Sequence, residues 1–260
     1  MSTPFFDSHA HLCDDALYPA IEEILDRAAK SNVLHIANIC TDAKTLERGL
    51  ELHKRYPWVH NVASTTPHTV EVDGAEFFPV VKAAALRGDL VAIGETGLDY
   101  FYYGHTKETQ KHYLRLYLQL AMEINLPIVI HCRDAFADFF TILDEVKEAS
   151  GKLPRGVLHC FTGTMAEALE VIRRGWFLSL SGIATFKKSI ELHEVAKIVP
   201  LELLLIETDA PYLAPQAHRG KCNEPSYVIE TAKWIAHLKG IPLEHVVEAS
   251  YQNAKSFFKI

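Results

Sequence analysis

Eight short apolar runs at nearly even intervals constrain this chain more than any other feature. They are Phe5-Phe6, Val33 to Ile39, Val59 to Ala63, Leu90 to Ile93, Ile128 to Ile130, Val157-Leu158, Phe177 to Leu180 and Leu203 to Ile206. Each is short and continuous, as a strand buried on both faces of a parallel sheet requires. Their ends fall about 29 residues apart, close to the length of one strand–helix unit. Amphipathic patterns fill the intervals. Leu17, Ile21, Ile24, Leu25 and Ala28 share one helical face, as do Tyr113, Tyr117, Leu120, Ala121 and Ile124, and Phe136, Phe139, Phe140 and Leu143. Thr164 and Glu167 have the spacing of a capping box, and Gly175 is positioned to stop the helix that follows.

Eight such units in 260 residues predict one α/β unit over residues 1–260, a (β/α)8 TIM barrel with its active site at the C-terminal ends of the strands. The rival, an open doubly wound sheet, lacks its Gly-x-Gly-x-x-Gly turn. Pro211, Pro215 and Pro225 mark a long loop from Asp209 to Pro225, a length more often functional than connective. No run reaches the 18 or so apolar residues of a spanning helix, and the first residues lack a basic signal region, so the chain reads as unprocessed and non-membrane. A net charge of −7 offers no general attraction for a polyanion, and any nucleic-acid role must rest on local groups. Five cysteines, odd in number and without a Cys-x-x-Cys pair, argue against disulfides and thiolate zinc and point to a reducing, cytoplasmic location.

The chemistry collects where a barrel would use it. His9 and His11 follow the first run as His-x-His, a spacing that projects both side chains from one face of an extended backbone. Glu95, His131 and His159 close the fourth, fifth and sixth runs, and Asp209 follows the eighth. One polar residue closing a strand is usually a satisfied loop group. Several buried carboxylates without a counter-ion are too costly, so a metal cluster is the economical reading. Four imidazoles and two carboxylates exceed one tetrahedral ion and suit two divalent cations sharing a carboxylate. Mixed nitrogen and oxygen donors accept Zn, Mn, Co or Fe, and Mg where phosphate oxygens complete its shell. Strand alternation turns Cys132 and Cys160 away from this face, towards the helix layer.

Five blocks carry a family resemblance. Phe6-Asp7-Ser8-His9-Ala10-His11-Leu12, Gly94-Glu95-Thr96-Gly97-Leu98-Asp99-Tyr100, Pro127 to Asp134, Leu158-His159-Cys160-Phe161-Thr162-Gly163 and Glu207-Thr208-Asp209-Ala210-Pro211-Tyr212-Leu213 resemble the TatD family of metal-dependent deoxyribonucleases, of the wider amidohydrolase-like superfamily. The resemblance implies one metal on His9, His11, Glu95 and Asp209, a second on Glu95, His131 and His159, and Glu95 as the bridge. It implies hydrolysis of DNA phosphodiester bonds, exonucleolytic on single-stranded or frayed ends, with Glu95 and Asp209 as the catalytic carboxylates. One departure stands out. The family usually reads Gly-x-His-Pro after the third strand, where this chain has Ser64-Thr65-Thr66-Pro67-His68.

Arg133, Tyr100 and Arg219 are the expected substrate-binding residues at the rim, with Lys221 nearby. Lys187 and Lys188 read first as solvated surface, and Phe101 as a packed lid. Glu207 shares a face with Asp209 and is positioned to orient a ligand. The alternative from the same ligand set is a binuclear amidohydrolase acting on a small amide, ester or lactone. Neither reading requires an obligate protein partner.

Overall fold

The computed structural model describes residues 3–260. Eight strands alternate with helices: β1 (Phe5–Ala10), α1 (Ile21–Lys30), β2 (Val33–Cys40), α2 (Ala43–Arg55), β3 (Val59–Ala63), α3 (Val70–Arg87), β4 (Ala92–Asp99), α4 (Tyr100–Tyr103), α5 (Lys107–Glu123), β5 (Ile128–Arg133), α6 (Phe136–Ser150), β6 (Gly156–Leu158), α7 (Met165–Arg173), β7 (Phe177–Leu180), α8 (Ile190–Ile198), β8 (Leu204–Ile206), α9 (Val228–Lys239) and α10 (Leu243–Phe258). The strands pair in parallel in sequence order from β1 to β8. A bridge between Ala10 and Ala210 brings the two ends together, with the His11 N–H donating to Ala210 O at 2.7 Å and the Asp209 N–H to His9 O at 2.9 Å. The result is the nearly closed (β/α)8 barrel that the spacing of the apolar runs predicts.

Two apolar cores follow from strand alternation. Phe6, Ala37, Ile39, Val62, Ala92, Val129, Val157, Phe177 and Leu205 form the inner cluster, joined by Ala254, Phe257 and Phe258 of α10. The larger outer cluster packs the opposite strand faces, such as Phe5, Ile36, Ile93 and Ile130, against the helices. Helix α10 lies across the N-terminal ends of the strands: Asn253 donates to the Leu204 and Leu201 carbonyls, and Arg155 reaches from before β6 to the Ser256 carbonyl. The barrel therefore has a plugged floor and an open, polar mouth.

The local signals hold. Thr164 Oγ1 accepts from the Glu167 N–H, whose carboxylate accepts from the Thr164 N–H at 2.6 Å, completing the capping box of α7. Gly175 ends that segment with φ of 72°. A second box, Asp42 with Thr45, caps α2. The main extension beyond the sequence pattern is β4, which continues through polar residues to Asp99 because Thr96 to Asp99 still pair with Ile130 to Arg133.

That extension contains an irregularity that positions the site. Between Ile93 and Thr96, three residue steps on β4 face two on β5. Ala92 accordingly lies in the inner cluster and Leu98 in the outer one, although residues six apart share a face in a regular strand. The extra residue reverses the alternation and turns Glu95 inward. Gly94 is required there: its φ is 146°, and a Cβ would meet the Val129 carbonyl oxygen and Cβ at 2.6 Å. Strand β1 repeats the device. Its register shifts between Asp7 and Ala10, so Phe6 packs inside and Ala10 outside, and His9 and His11 turn to the mouth.

Candidate metal centre

The six expected donors converge at the mouth. His9 Nε2 and His11 Nε2 lie 3.3 Å apart and stand 3.3 and 3.5 Å from Glu95 Oε2. Asp209 Oδ1 lies 3.7 Å from the first imidazole and 3.5 Å from the second. Donors held about 2.0–2.1 Å from one tetrahedral ion stand roughly 3.3–3.4 Å from each other, close to the spacings around His9 and His11. The other oxygen of Glu95 faces a second group. Glu95 Oε1 is 3.0 Å from His131 Nδ1 and 2.9 Å from His159 Nε2, and those two nitrogens are 3.4 Å apart. One carboxylate thus divides its oxygens between two donor groups, and the donor chemistry fits divalent metal binding.

Electrostatics describe a site that needs positive charge. Burial raises the Glu95 carboxyl, yet the imidazoles of His159, His131 and His9 outweigh it and hold the group well below the usual carboxylate range. Burial also opposes ionisation of Asp209, and His11 and His9 reverse the balance. The imidazoles respond in kind. His159 is pushed well above its ordinary value against its burial by Glu95 and Glu207, and His131 and His11 are raised in the same way by their carboxylates. His9 alone is lowered, by burial and by His159, whose ring stacks on it with centroids 3.8 Å apart. Without protons on these rings the carboxylates require another cation.

A surrounding layer orients the donors. Asp99 Oδ2 accepts from His131 Nε2 at 3.0 Å and from His68 Nε2 at 3.2 Å, which leaves His131 Nδ1 facing Glu95. Glu207 accepts the Cys160 N–H at 2.5 Å and faces His159 Nδ1 at 3.5 Å. Its second oxygen and His9 Nδ1 are both buried without a hydrogen-bond partner among the described residues. Asp7 ties β1 to the residue before Asp209, accepting the Thr208 N–H at 2.9 Å and hydroxyl at 2.5 Å, and its burial pushes its carboxyl up to about 8. Asn223 anchors the last loop by donating to the Thr208 and Tyr212 carbonyls. The sequence reading anticipated Glu207 and missed Asp99 and Asp7, although both lie in the blocks that carry the resemblance.

The rim differs from expectation in three details. Tyr100 is half-buried, and its hydroxyl donates to Asp138 at 2.7 Å. Phe101 is not a packed lid: it is 55% exposed, Tyr102 is 61% exposed, and the Arg133 guanidinium lies 4.0 and 4.8 Å over their rings. Cys160 does not join the helix layer. Strand β6 ends at Leu158, the Cys160 backbone turns to φ of 41°, and its thiol lies 3.1 Å from Ser181 Oγ, so strand alternation no longer applies. Cys132, by contrast, packs in the outer core as expected. Arg219 lies 4.1 Å over the Phe186 ring.

The family model for TatD-related DNases matches residues 6–259. The chain belongs to the TatD family of metal-dependent hydrolases. Among similar proteins, an uncharacterized metal-dependent hydrolase of Bacillus subtilis, YabD, is 38% identical over 255 residues, covering 98% of this chain and 99% of its own. A protein of Citrobacter rodentium named 3'-5' ssDNA/RNA exonuclease TatD is 32% identical, with 98% of each chain covered. The crystal structure of YJJV, a TatD homologue from Escherichia coli K12, superposes with a TM-score of 0.92 at 27% identity and full coverage of both chains. These matches do not favour the alternative of a hydrolase for small amides, esters or lactones. Within the TatD frame the departure after β3 now has a geometry. Thr66 is buried, and His68 reaches the site instead, sharing Asp99 with His131 and standing 4.9 Å from the Tyr103 ring.

Proposed function

We infer that this chain hydrolyses phosphodiester bonds of DNA exonucleolytically, at single-stranded or frayed ends, using two divalent cations. The observation that carries the reading is the division of Glu95: Oε2 stands with His9, His11 and Asp209, and Oε1 with His131 and His159. One cation is assigned to the first four residues and a second to Glu95, His131 and His159, as Mg, Mn or Zn. When bound, such a pair polarises a phosphoryl oxygen and acidifies a water molecule.

The side chains then divide the remaining work. Asp209 turns Oδ1 to the imidazoles, and its other oxygen takes the proton of the attacking water. Asp99 and Glu207 hold His131 and His159 in the orientation that coordination needs. Arg133 and Arg219 contact phosphates, and the exposed rings of Phe101 and Tyr102 replace Tyr100 as the stacking surface, worth about 1–3 kcal/mol per base. A stacked base must first leave a duplex, which favours single-stranded ends. The exonuclease named for the Citrobacter relative supports this choice.

All six donors belong to one barrel unit, which is proposed to act without a further protein. No helix among the described residues is long and apolar enough to cross a membrane, and five free cysteines suit a reducing cytoplasm. The test is elemental analysis of the purified protein with digestion of labelled single-stranded DNA and RNA before and after chelation. Metal bound near two equivalents, with activity lost on chelation and restored by divalent cation, is expected. A chelator-insensitive protein, or one that cleaves no phosphodiester when loaded, rules the reading out.

A further inference from the structure

A cleft of about 360 Å³ lies beside the mouth, between the loop after β7, the last loop and α9. Its apolar wall is Pro215 and the half-buried Trp234, whose indole nitrogen has no partner among the described residues. Gln216, Lys187, Lys233 and the carboxylate of Glu230 supply its polar edge. Lys233 pairs with Glu230 at 2.8 Å, an exposed contact that leaves two ammonium donors for another acceptor. An apolar wall with an indole, edged by two lysines against one glutamate, matches a nucleobase with its phosphate.

The two loops that build this cleft also frame the metal centre. The loop after β7 begins at Ser181, against Cys160, and turns through Gly182–Thr185. The last loop begins at Asp209 and packs on that turn: the Gln216 N–H donates to Thr185 Oγ1 at 2.7 Å, and a Cβ at Gly182 would meet Leu213 O at 2.3 Å. A packed seam therefore runs from the donors towards the cleft, with Arg219 over Phe186 along it.

We propose that this cleft is a second nucleotide-binding site, holding a base and phosphate of the same strand several nucleotides from the bond being cut. The proposal rests on the nuclease reading and predicts a length dependence that the metal centre alone does not produce. Lys187 and Lys233 are exposed, so Lys187→Ala with Lys233→Ala leaves the fold intact. Binding of labelled oligothymidylates of about 3 and about 16 nucleotides is measured by fluorescence anisotropy without metal, beside turnover of bis-p-nitrophenyl phosphate with metal.

The double variant is expected to bind the long strand about tenfold more weakly, with a smaller salt dependence, while binding of the short strand and small-ester turnover stay at the wild-type level. Equal weakening for both lengths, unchanged binding of the long strand, or no binding by the wild-type chain overturns the cleft assignment. Intact length-dependent binding with no phosphodiester turnover by the loaded wild type overturns the nuclease reading and leaves the cleft standing.

Discussion

The two ends of the barrel both collect histidines and treat them in opposite ways. At the mouth, imidazoles alternate with Glu95, Asp209, Asp99 and Glu207, and His11, His131 and His159 are raised above the ordinary value. At the floor, His35 Nδ1 lies 3.0 Å from His60 Nε2, with the His53 ring 6.1 Å from that of His60 and the Phe6 ring 5.4 Å from that of His35. Among the described residues no carboxylate acts on that pair. Burial and neighbouring positive groups lower both rings, His60 to about 4 through burial, His35 and His53, and His35 through burial and Lys255. A histidine cluster becomes a cation site when acids share its burial. Without them it stays neutral and packs as aromatic core.

The largest effect that probes this contrast is removal of the shared acid. Glu95→Gln leaves both donor groups without their common anion, and turnover should fall by about a thousandfold or more, with metal content dropping from the wild-type value. Near-normal rate and stoichiometry would show that Glu95 does not join the two groups. At the floor, Phe257→Ala opens the inner core where α10 plugs the barrel, and urea unfolding should report a loss of about 3–5 kcal/mol. An unchanged midpoint would mean that α10 is not a structural plug. Metal affinity of the surviving folded protein should stay at the wild-type level, since the plug and the donors occupy opposite ends.

Smaller changes sharpen the comparison. Asp99→Ala frees His131 to rotate and should weaken metal binding by about 10–100-fold without unfolding the chain, as read by competition with a chelating dye. Affinity equal to wild type removes Asp99 from the orienting role. The floor pair should show itself through acid. Because the folded His60 value lies near 4 and the unfolded value near 6.5, the unfolded chain binds the proton first as pH falls. The His60 contribution to stability should decline from about pH 6.5 towards pH 4 and be fully lost below, and His60→Gln should flatten that part of the slope in melting curves of the chelated protein. A slope identical in the variant would assign the acid sensitivity elsewhere.

Much of this was legible in the residue order. Eight apolar runs at strand–helix intervals required the barrel, and His9, His11, Glu95, His131, His159 and Asp209 stood at ends of those runs because a buried strand leaves only its termini for ionisable chemistry. Asp99 was not legible as an orienting acid: its polar neighbours resembled a loop, and it belongs to β4 only because β5 supplies hydrogen-bonding partners. The role of His68 was equally hidden, since nothing local in Ser64 to His68 says which side chain reaches Asp99.

Order, spacing and donor type are local properties, and the chain carries them whether folded or not; they were enough to specify the barrel and to nominate the six donors. The direction in which each donor points depends on pairing with a neighbouring strand. Regular alternation from Phe6 and Ala92 would send His9, His11 and Glu95 to the helix layer. Register shifts against β2 and β5 return them to the mouth, and the seam between His9 and Asp209 closes the group from opposite ends of the chain.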